Sequence, residues 1–444
     1  MTAPGLHTLT ATEISKLIKK DEVTVEDYAR SLLAHIEKRD DVVHAWIYLD
    51  HDLVIKQAQR LDEIPAAERG PLHGVAVGVK DIMNTEDMPT EFGSPLYKDN
   101  RPGMDSSAVG ILRTAGALIL GKTVTSEFTV ANTGTNTTNP HDPKRTPGGS
   151  SCGSAAAVAD FQVPLSVGTQ TAGSVIRPAS FVGIYAMKPT YSTISNDGQM
   201  TYSISVDTFG FFARSVEDLQ LIADVFALQD DEVPIEKPLS KIHIAMIKTP
   251  LWHLAGPGTR DAMDKSASIL TSHGVKVDEA FFPSNYSDGN ILKRMFSLIA
   301  DGEAQSAFLK EYRMDKTKVA KEIPDLVENK FNYTKKERLQ ALDTYARMRP
   351  VFDDLASKYD AIITPSVPDI APVGLDWMGD PSFNLLWTGL HMPMINIPAF
   401  TGSCGMPIGL SIVAGRFFDQ HLLKIAKVLS VPLTDEGDWL ATLH

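Results

Sequence analysis

Residues 146–189 read TPGGSSCGSAAAVADFQVPLSVGTQTAGSVIRPASFVGIYAMKP, and the rest of the chain is read outward from this stretch. It holds two Gly/Ser loops, at 148–154 and 172–174, each leading into a run with helical character. Glycine has no Cβ, so such a loop brings backbone N–H groups and hydroxyls close to a ligand. Amides left unpaired where a helix begins favour negative charge. Two such loops in close succession point to a place where an oxyanion forms and hydroxyls do chemistry. The stretch reads as an active site.

Outward from it, strands and helices alternate. Residues 73–79 (HGVAVGV) form a short apolar, β-branched run that predicts a strand reaching Lys80. A helix is expected at 106–115, a buried strand at 117–120, an Ala-rich helix at 154–160 and a strand at 163–167. Residues 10–38 carry helical spacing through Ile14, Leu17 and Ile18, then Tyr28, Leu32, Leu33 and Ile36. Ser215 opens an amphipathic helix through Leu228 with a capping-box-like start. Residues 241–247 alternate as a strand, and runs at 361–364, 394–399 and 408–414 close the sheet. The alternation predicts an α/β layered fold: one α/β/α domain over 1–444 with a central mixed sheet. The charged, largely helical segment 258–358 is the candidate cap or subdomain.

Composition narrows the function class. Of 444 residues, 43% are hydrophobic and 22% charged, as in an ordinary soluble globular protein. A net charge of −13 without a dense Lys/Arg run argues against a nucleic-acid surface. No run of apolar residues is long enough to span a membrane, and the first residues lack the apolar stretch of a signal peptide. The two cysteines, Cys152 and Cys404, cannot make a disulfide framework, which favours a reducing, cytoplasmic setting. The 12 histidines include no HExxH or HxH and the two cysteines are far apart, so no metal site is expected.

Two motif matches fail on context. Gly116 to Thr123 has the spacing GxxxxGK[ST] of a phosphate loop ending in Lys122, but its intervening residues are ALIL. A phosphate loop needs an exposed turn there, and ALIL prefers to be the buried strand itself. Gly149-Ser-Ser151-Cys-Gly153 fits the GxSxG elbow of α/β-hydrolases. That elbow follows an apolar strand, and NPHDPKRTPGG stands here instead. What remains is a serine nucleophile without a histidine partner. A desolvated lysine can act as its base, directly or through another hydroxyl. Lys80 ends an apolar strand, where burial would disfavour its charge. It could equally be an ordinary strand-end lysine at the surface.

The two loops, with PLHGVAVGVKD and DSSAVGILRTAGALILGKT before them, resemble the amidase signature hydrolases. VDTFGFFARSVEDL, YDAIITPSVPDIAP, TGLHMPMINIPAF and GMPIGLSIVAG after them extend the resemblance over nearly the whole chain. It implies the amidase signature fold and a catalytic set of Lys80, Ser150 and Ser174. Ser150 would follow a cis peptide bond after Gly149 and relay protons. Ser174 would be the nucleophile, with backbone N–H groups of Thr171, Ala172, Gly173 and Ser174 as the oxyanion hole. Ser151 would support the relay or cap the following helix. The implied reaction is hydrolysis of a small linear amide through an acyl-enzyme. Carbamates, ureides or esters are further substrates, and water is the second reactant. No cofactor is implied, and the family is often dimeric, which points to a homodimer. Amidotransferase-type subunits that supply ammonia share the signature and form the alternative. A nucleotide-binding protein using Lys122 and a catalytically silent relative are the readings outside it.

The second loop departs from the family's frequent GTDTGGSIR. Gln170 stands for the Asp, Ala172 for the first Gly, and Arg177 lies three residues after Ser174 rather than two. Arg177 is either a clamp for a substrate carboxylate or part of a structural ion pair beneath the loop. Gln170, Phe128 and Arg177 are the expected substrate-binding residues, with the pocket drawing on 128–132 and on 258–358. Cys152 reads as a small packed residue rather than a second nucleophile.

Overall fold

In the computed structural model, which describes residues 5–130 and 132–439, the apolar runs become strands of a single sheet. In chain order they are β1 (Trp46–Tyr48), β2 (Ala76–Lys80), β3 (Leu118–Thr123), β4 (Leu165–Gln170), β5 (Tyr185–Lys188) and β6 (Thr208–Ala213). β7 (His243–Ile247), β8 (Lys276–Ala280), β9 (Ala361–Pro365), β10 (Met394–Thr401) and β11 (Pro407–Val413) follow. The helices of the first half are α1 (Ala11–Lys19), α2 (Val25–Val43), α3 (His51–Asp62), α4 (Ser107–Thr114), α5 (Cys152–Ala159), α6 (Ile176–Val182) and α7 (Val216–Val225). Those of the second are α8 (Pro257–Ser272), α9 (Gly289–Ala307), α10 (Leu309–Asp315), α11 (Glu322–Val327), α12 (Lys335–Ala356), α13 (Ser382–Gly389) and α14 (Asp419–Glu436).

The strand order is β1-β3-β2-β4-β6-β5-β10-β11-β9-β7-β8. β2 pairs in parallel with β3 and β4, and β7 with β8 and β9. β4, β6, β5, β10, β11 and β9 join as antiparallel neighbours, so the sheet is mixed. Strand alternation sends neighbouring residues to opposite faces. Ala361 and Ile363 enter the core that holds α8 and α14, whereas Ile362 enters a second core with α9, α12 and α13. Both faces are therefore covered, giving the α/β/α layering.

The structure corrects several expectations. The 10–38 run is two helices, parted by Asp21 at φ +56°. β4 begins at Leu165 and runs to Gln170, and β10 and β11 lie mid-sheet rather than closing it. β6 (TFGFFA) is buried on both faces, so it lacks the alternation that would have marked it. β8 (KVDEA) is a polar edge strand inside the segment expected to be helical. That segment contributes helices to both faces of the sheet. Its α8 packs on one face of the sheet, α9 and α12 on the other. At α7 only half of the box forms: Ser215 Oγ accepts the Asp218 amide at 3.1 Å. The Asp218 carboxylate instead accepts the amides of Ala11 at 3.0 Å and Thr12 at 2.8 Å, so it caps α1. Among the described residues no helix is long and apolar enough to cross a membrane.

Candidate active site

The site forms where β2 and β4 end side by side and α5 and α6 begin. α5 (CGSAAAVA) is buried along its whole length, and its small residues let its backbone lie close to the sheet. A Cβ on Gly153 would fall 2.3 Å from the Ala45 carbonyl oxygen and 2.4 Å from the Val124 nitrogen. Gly148, which opens the first loop, has φ +84°, and a Cβ there would fall 2.8 Å from Pro178 Cα. Each position excludes a side chain.

Lys80, the last residue of β2, is 0% exposed. Its Nζ donates to Ser150 Oγ at 2.8 Å and to Thr169 Oγ1 at 3.3 Å. Burial lowers its pKa to about 7, so the neutral amine is within reach at ordinary pH. The surface alternative for this lysine is thereby excluded. The Gly149–Ser150 peptide is cis, as the resemblance implied. Ser174 is buried to 7% exposure at the entry to α6. Among the described residues, the amides of Ala172, Gly173 and Ser174 donate to no protein acceptor. Such N–H groups are free to meet an oxyanion.

The residues that depart from the frequent loop hold it in place. Gln170 Oε1 accepts the amides of Val175 at 2.9 Å and Ile176 at 3.0 Å, closing the first turn of α6. Its Nε2 donates to Thr388 Oγ1 at 3.0 Å, and that hydroxyl reaches the Ala172 carbonyl at 3.1 Å. Arg177 donates to the Gly149 carbonyl from Nε at 3.2 Å and Nη2 at 2.6 Å. Its Nη1 donates to the Gly379 carbonyl and, at 3.4 Å, to Asn132 Oδ1. The expected ion pair is thus a set of bonds to carbonyls, and the guanidinium is engaged by the protein rather than held open for a carboxylate. Phe128 is fully buried against Phe92, Tyr97 and Phe308, with φ +47°. The polar atoms of Gln170 and Arg177 and the ring of Phe128 thus all have partners within the protein.

Ser151 occupies the N-cap position of α5 but makes no side-chain cap. Its hydroxyl donates to the Thr169 carbonyl at 3.3 Å, bracing the end of β4. Cys152 is buried, with Sγ 3.3 Å from the Val124 carbonyl, and burial pushes its thiol pKa up. Lys122 is no phosphate ligand: it lies inside β3, buried, and pairs with Asp81 at 2.9 Å.

Sequence reasoning missed Asp207, Thr169 and Thr388. Asp207 is 3% exposed and accepts Thr171 Oγ1 at 2.6 Å. The only signal for it was its place in the VDTFGFFAR motif. A cleft of about 740 Å³ is walled in part by Phe92, Tyr97, Tyr202, Glu303 and Glu311.

The amidase pattern matches residues 27–423. The chain belongs to the amidase family. Similar curated proteins include a glutamyl-tRNA(Gln) amidotransferase subunit of Exiguobacterium sp., 30% identical over 93% of this chain and 95% of that one. The corresponding chloroplastic/mitochondrial protein of Zea mays is 31% identical over 97% of this chain and 90% of that one. A solved amidase superposes with a TM-score of 0.84 at 27% identity, covering 95% of this chain and 99% of that chain. A chain from a vestigial protein complex, tied to the evolutionary origins of an s-triazine catabolic enzyme, matches with TM-score 0.84, 26% identity and coverages of 95% and 98%. This amidase-family chain is an enzyme acting on amide C–N bonds.

Proposed function

We propose that this amidase cleaves a small linear amide by acyl transfer to Ser174, with Ser150 as proton relay and Lys80 as base. The 2.8 Å hydrogen bond from buried Lys80 to Ser150 carries this reading. Neutral Lys80 takes the Ser150 proton as Ser150 takes that of Ser174, and Ser174 Oγ bonds to the carbonyl carbon. The amides of Ala172, Gly173 and Ser174 receive the oxyanion, where one donor is typically worth about 3–4 kcal/mol. The proton returns through Ser150 to the leaving nitrogen and the C–N bond breaks. Water then releases the acid. The same steps serve a carbamate or ureide, and for an ester the proton goes to the leaving oxygen as the C–O bond breaks. Two free cysteines and an acidic chain support a cytoplasmic setting.

The curated relatives favour a second reading: an amidotransferase subunit that hydrolyses glutamine and passes ammonia to an acceptor on partner subunits. By sequence kinship alone it is the better supported, while the altered 170–177 loop supports the free-standing amidase. Ammonia release by the isolated chain separates them. Turnover of simple amides, ureides or carbamates without any partner upholds the first reading. Glutamine turnover that appears only with amidotransferase partner subunits replaces it with the second. Failure of Ser174→Ala to abolish cleavage would sink both.

A further inference from the structure

Asp207 immediately precedes β6 and is buried. Its Oδ1 accepts Thr171 Oγ1 at 2.6 Å, and its Oδ2 accepts the amides of Tyr202 at 2.6 Å and Ser203 at 3.1 Å. Thr169 and Thr171 lie two residues apart at the carboxyl end of β4, where alternate residues share a side of an extended chain. One hydroxyl meets Lys80 Nζ at 3.3 Å and the other meets Asp207. The two threonines thereby set a buried amine and a buried carboxylate in one space, and each feels the other's charge.

We propose that Asp207 is a positioning residue with two tasks. It anchors Thr171, and with it the loop bearing Ala172, Gly173 and Ser174. Its negative charge stabilises the ammonium that Lys80 becomes when the relay delivers a proton. The inference rests on the acyl-transfer reading above.

The proton balance shows why a counter-charge matters. Ser174 Oγ loses a proton to Ser150, Ser150 hands its own to Lys80 Nζ, and a cation appears where water is excluded. An unpaired buried cation is costly, and a nearby anion favours its formation. The other ionisable groups facing Lys80 are Cys152 and Arg177. Burial pushes the Cys152 thiol up, so it stays neutral, and Arg177 is a cation that opposes protonation of Lys80. Asp207 is itself faced by Lys80 and by the phenols of Tyr191 and Tyr202, which burial also pushes up and keeps neutral. Burial raises the Asp207 carboxyl to about 6, against hydrogen bonds from Thr171, Ser203 and Tyr202. It is therefore ionised at neutral pH, when Lys80 works as a base.

Removing this anion lowers the affinity of Lys80 for a proton. The acid limb of the pH profile then moves to lower pH, and the weaker base lowers the plateau. The test is the pH dependence of Ser174 labelling by an alkyl fluorophosphonate, on the full chain. Wild type, Asp207→Asn, Asp207→Glu and Thr171→Val are compared, with thermal unfolding as the folding control. Asp207→Asn is expected to shift the limb down by roughly one pH unit and the plateau down about tenfold. Thr171→Val should lower the plateau with the limb in place, and Asp207→Glu should keep the wild-type limb. A folded Asp207→Asn protein whose limb stays put overturns the counter-charge. Full labelling by folded Thr171→Val overturns the anchor, and decides that point even where Asp207→Asn fails to fold. A folded wild-type chain that takes no label at Ser174 defeats the acyl-transfer reading itself. Normal wild-type labelling with an indifferent Asp207→Asn defeats this inference alone.

Discussion

Arg177 Nη2 donates to the carbonyl oxygen of Gly149 at 2.6 Å, tying the helix that begins beside Ser174 to the loop that carries Ser150. Both residues are buried, so the bond is made away from competing water. Ser150 and Ser174 sit on different loops, and Arg177 is a direct strut between them.

The strut predicts that Arg177→Met loses activity on neutral and anionic amides to the same degree. The carbonyls of Gly149 and Gly379 would be left without their donor, at a cost on the order of 1–3 kcal/mol each. Ratios of kcat/KM for an anionic and a neutral amide of equal size, with urea unfolding alongside, check both points. A loss confined to the anionic amide would restore the carboxylate clamp.

Gln170 makes a matching prediction for the second loop. Gln170→Leu strands the amides of Val175 and Ile176 and should lower Ser174 labelling together with stability. Gln170→Glu keeps an acceptor for both amides and gives up the donation to Thr388, so it should lose less. Labelling rates of the two variants decide the order, and a Leu variant as active as wild type contradicts it.

Lys122→Met should leave the chemistry alone and weaken the fold. Its loss leaves the buried Asp81 carboxylate without its 2.9 Å partner, a change typically worth about 3–5 kcal/mol. Denaturant midpoints should fall while kcat of the folded fraction holds. A fall in kcat at full folding would place Lys122 in the reaction.

Stability should rise with pH above neutrality. Burial lowers Lys80 and Lys188 to about 7, while the unfolded chain holds both protons up to the ordinary lysine range. Across that interval the unfolded state binds more protons, so the free energy of unfolding increases with pH. Activity rises through the same neutral region as Lys80 loses its proton. Urea midpoints followed upward from neutral pH measure the slope, which Lys188→Met should reduce without moving the activity profile.

Much of the site was legible before any coordinates. Lys80 ends an apolar run, and the Gly and Ser residues of both loops are the ones a close backbone approach requires. The helix at α5 announced itself by its small residues. Asp207 carried no such mark, because a buried carboxylate and an exposed one look alike in a sequence. β6 was silent for a related reason, since burial on both faces erases alternation.

By itself the sequence determined the α/β order of elements, the two loops and the family, because each rests on local composition or on motif order. Only the tertiary structure decided what Arg177, Gln170 and Asp207 do. Their partners lie 28, 218 and 36 residues away, at Gly149, Thr388 and Thr171. A side chain's role follows from the donors and acceptors that folding brings to it, and at these separations the path of the chain alone does not name them. The stretch at 146–189 holds Ser150 and Ser174, and the groups that brace its loops come partly from within it, as Gln170 and Arg177, and partly from afar, as Asp207 and Thr388.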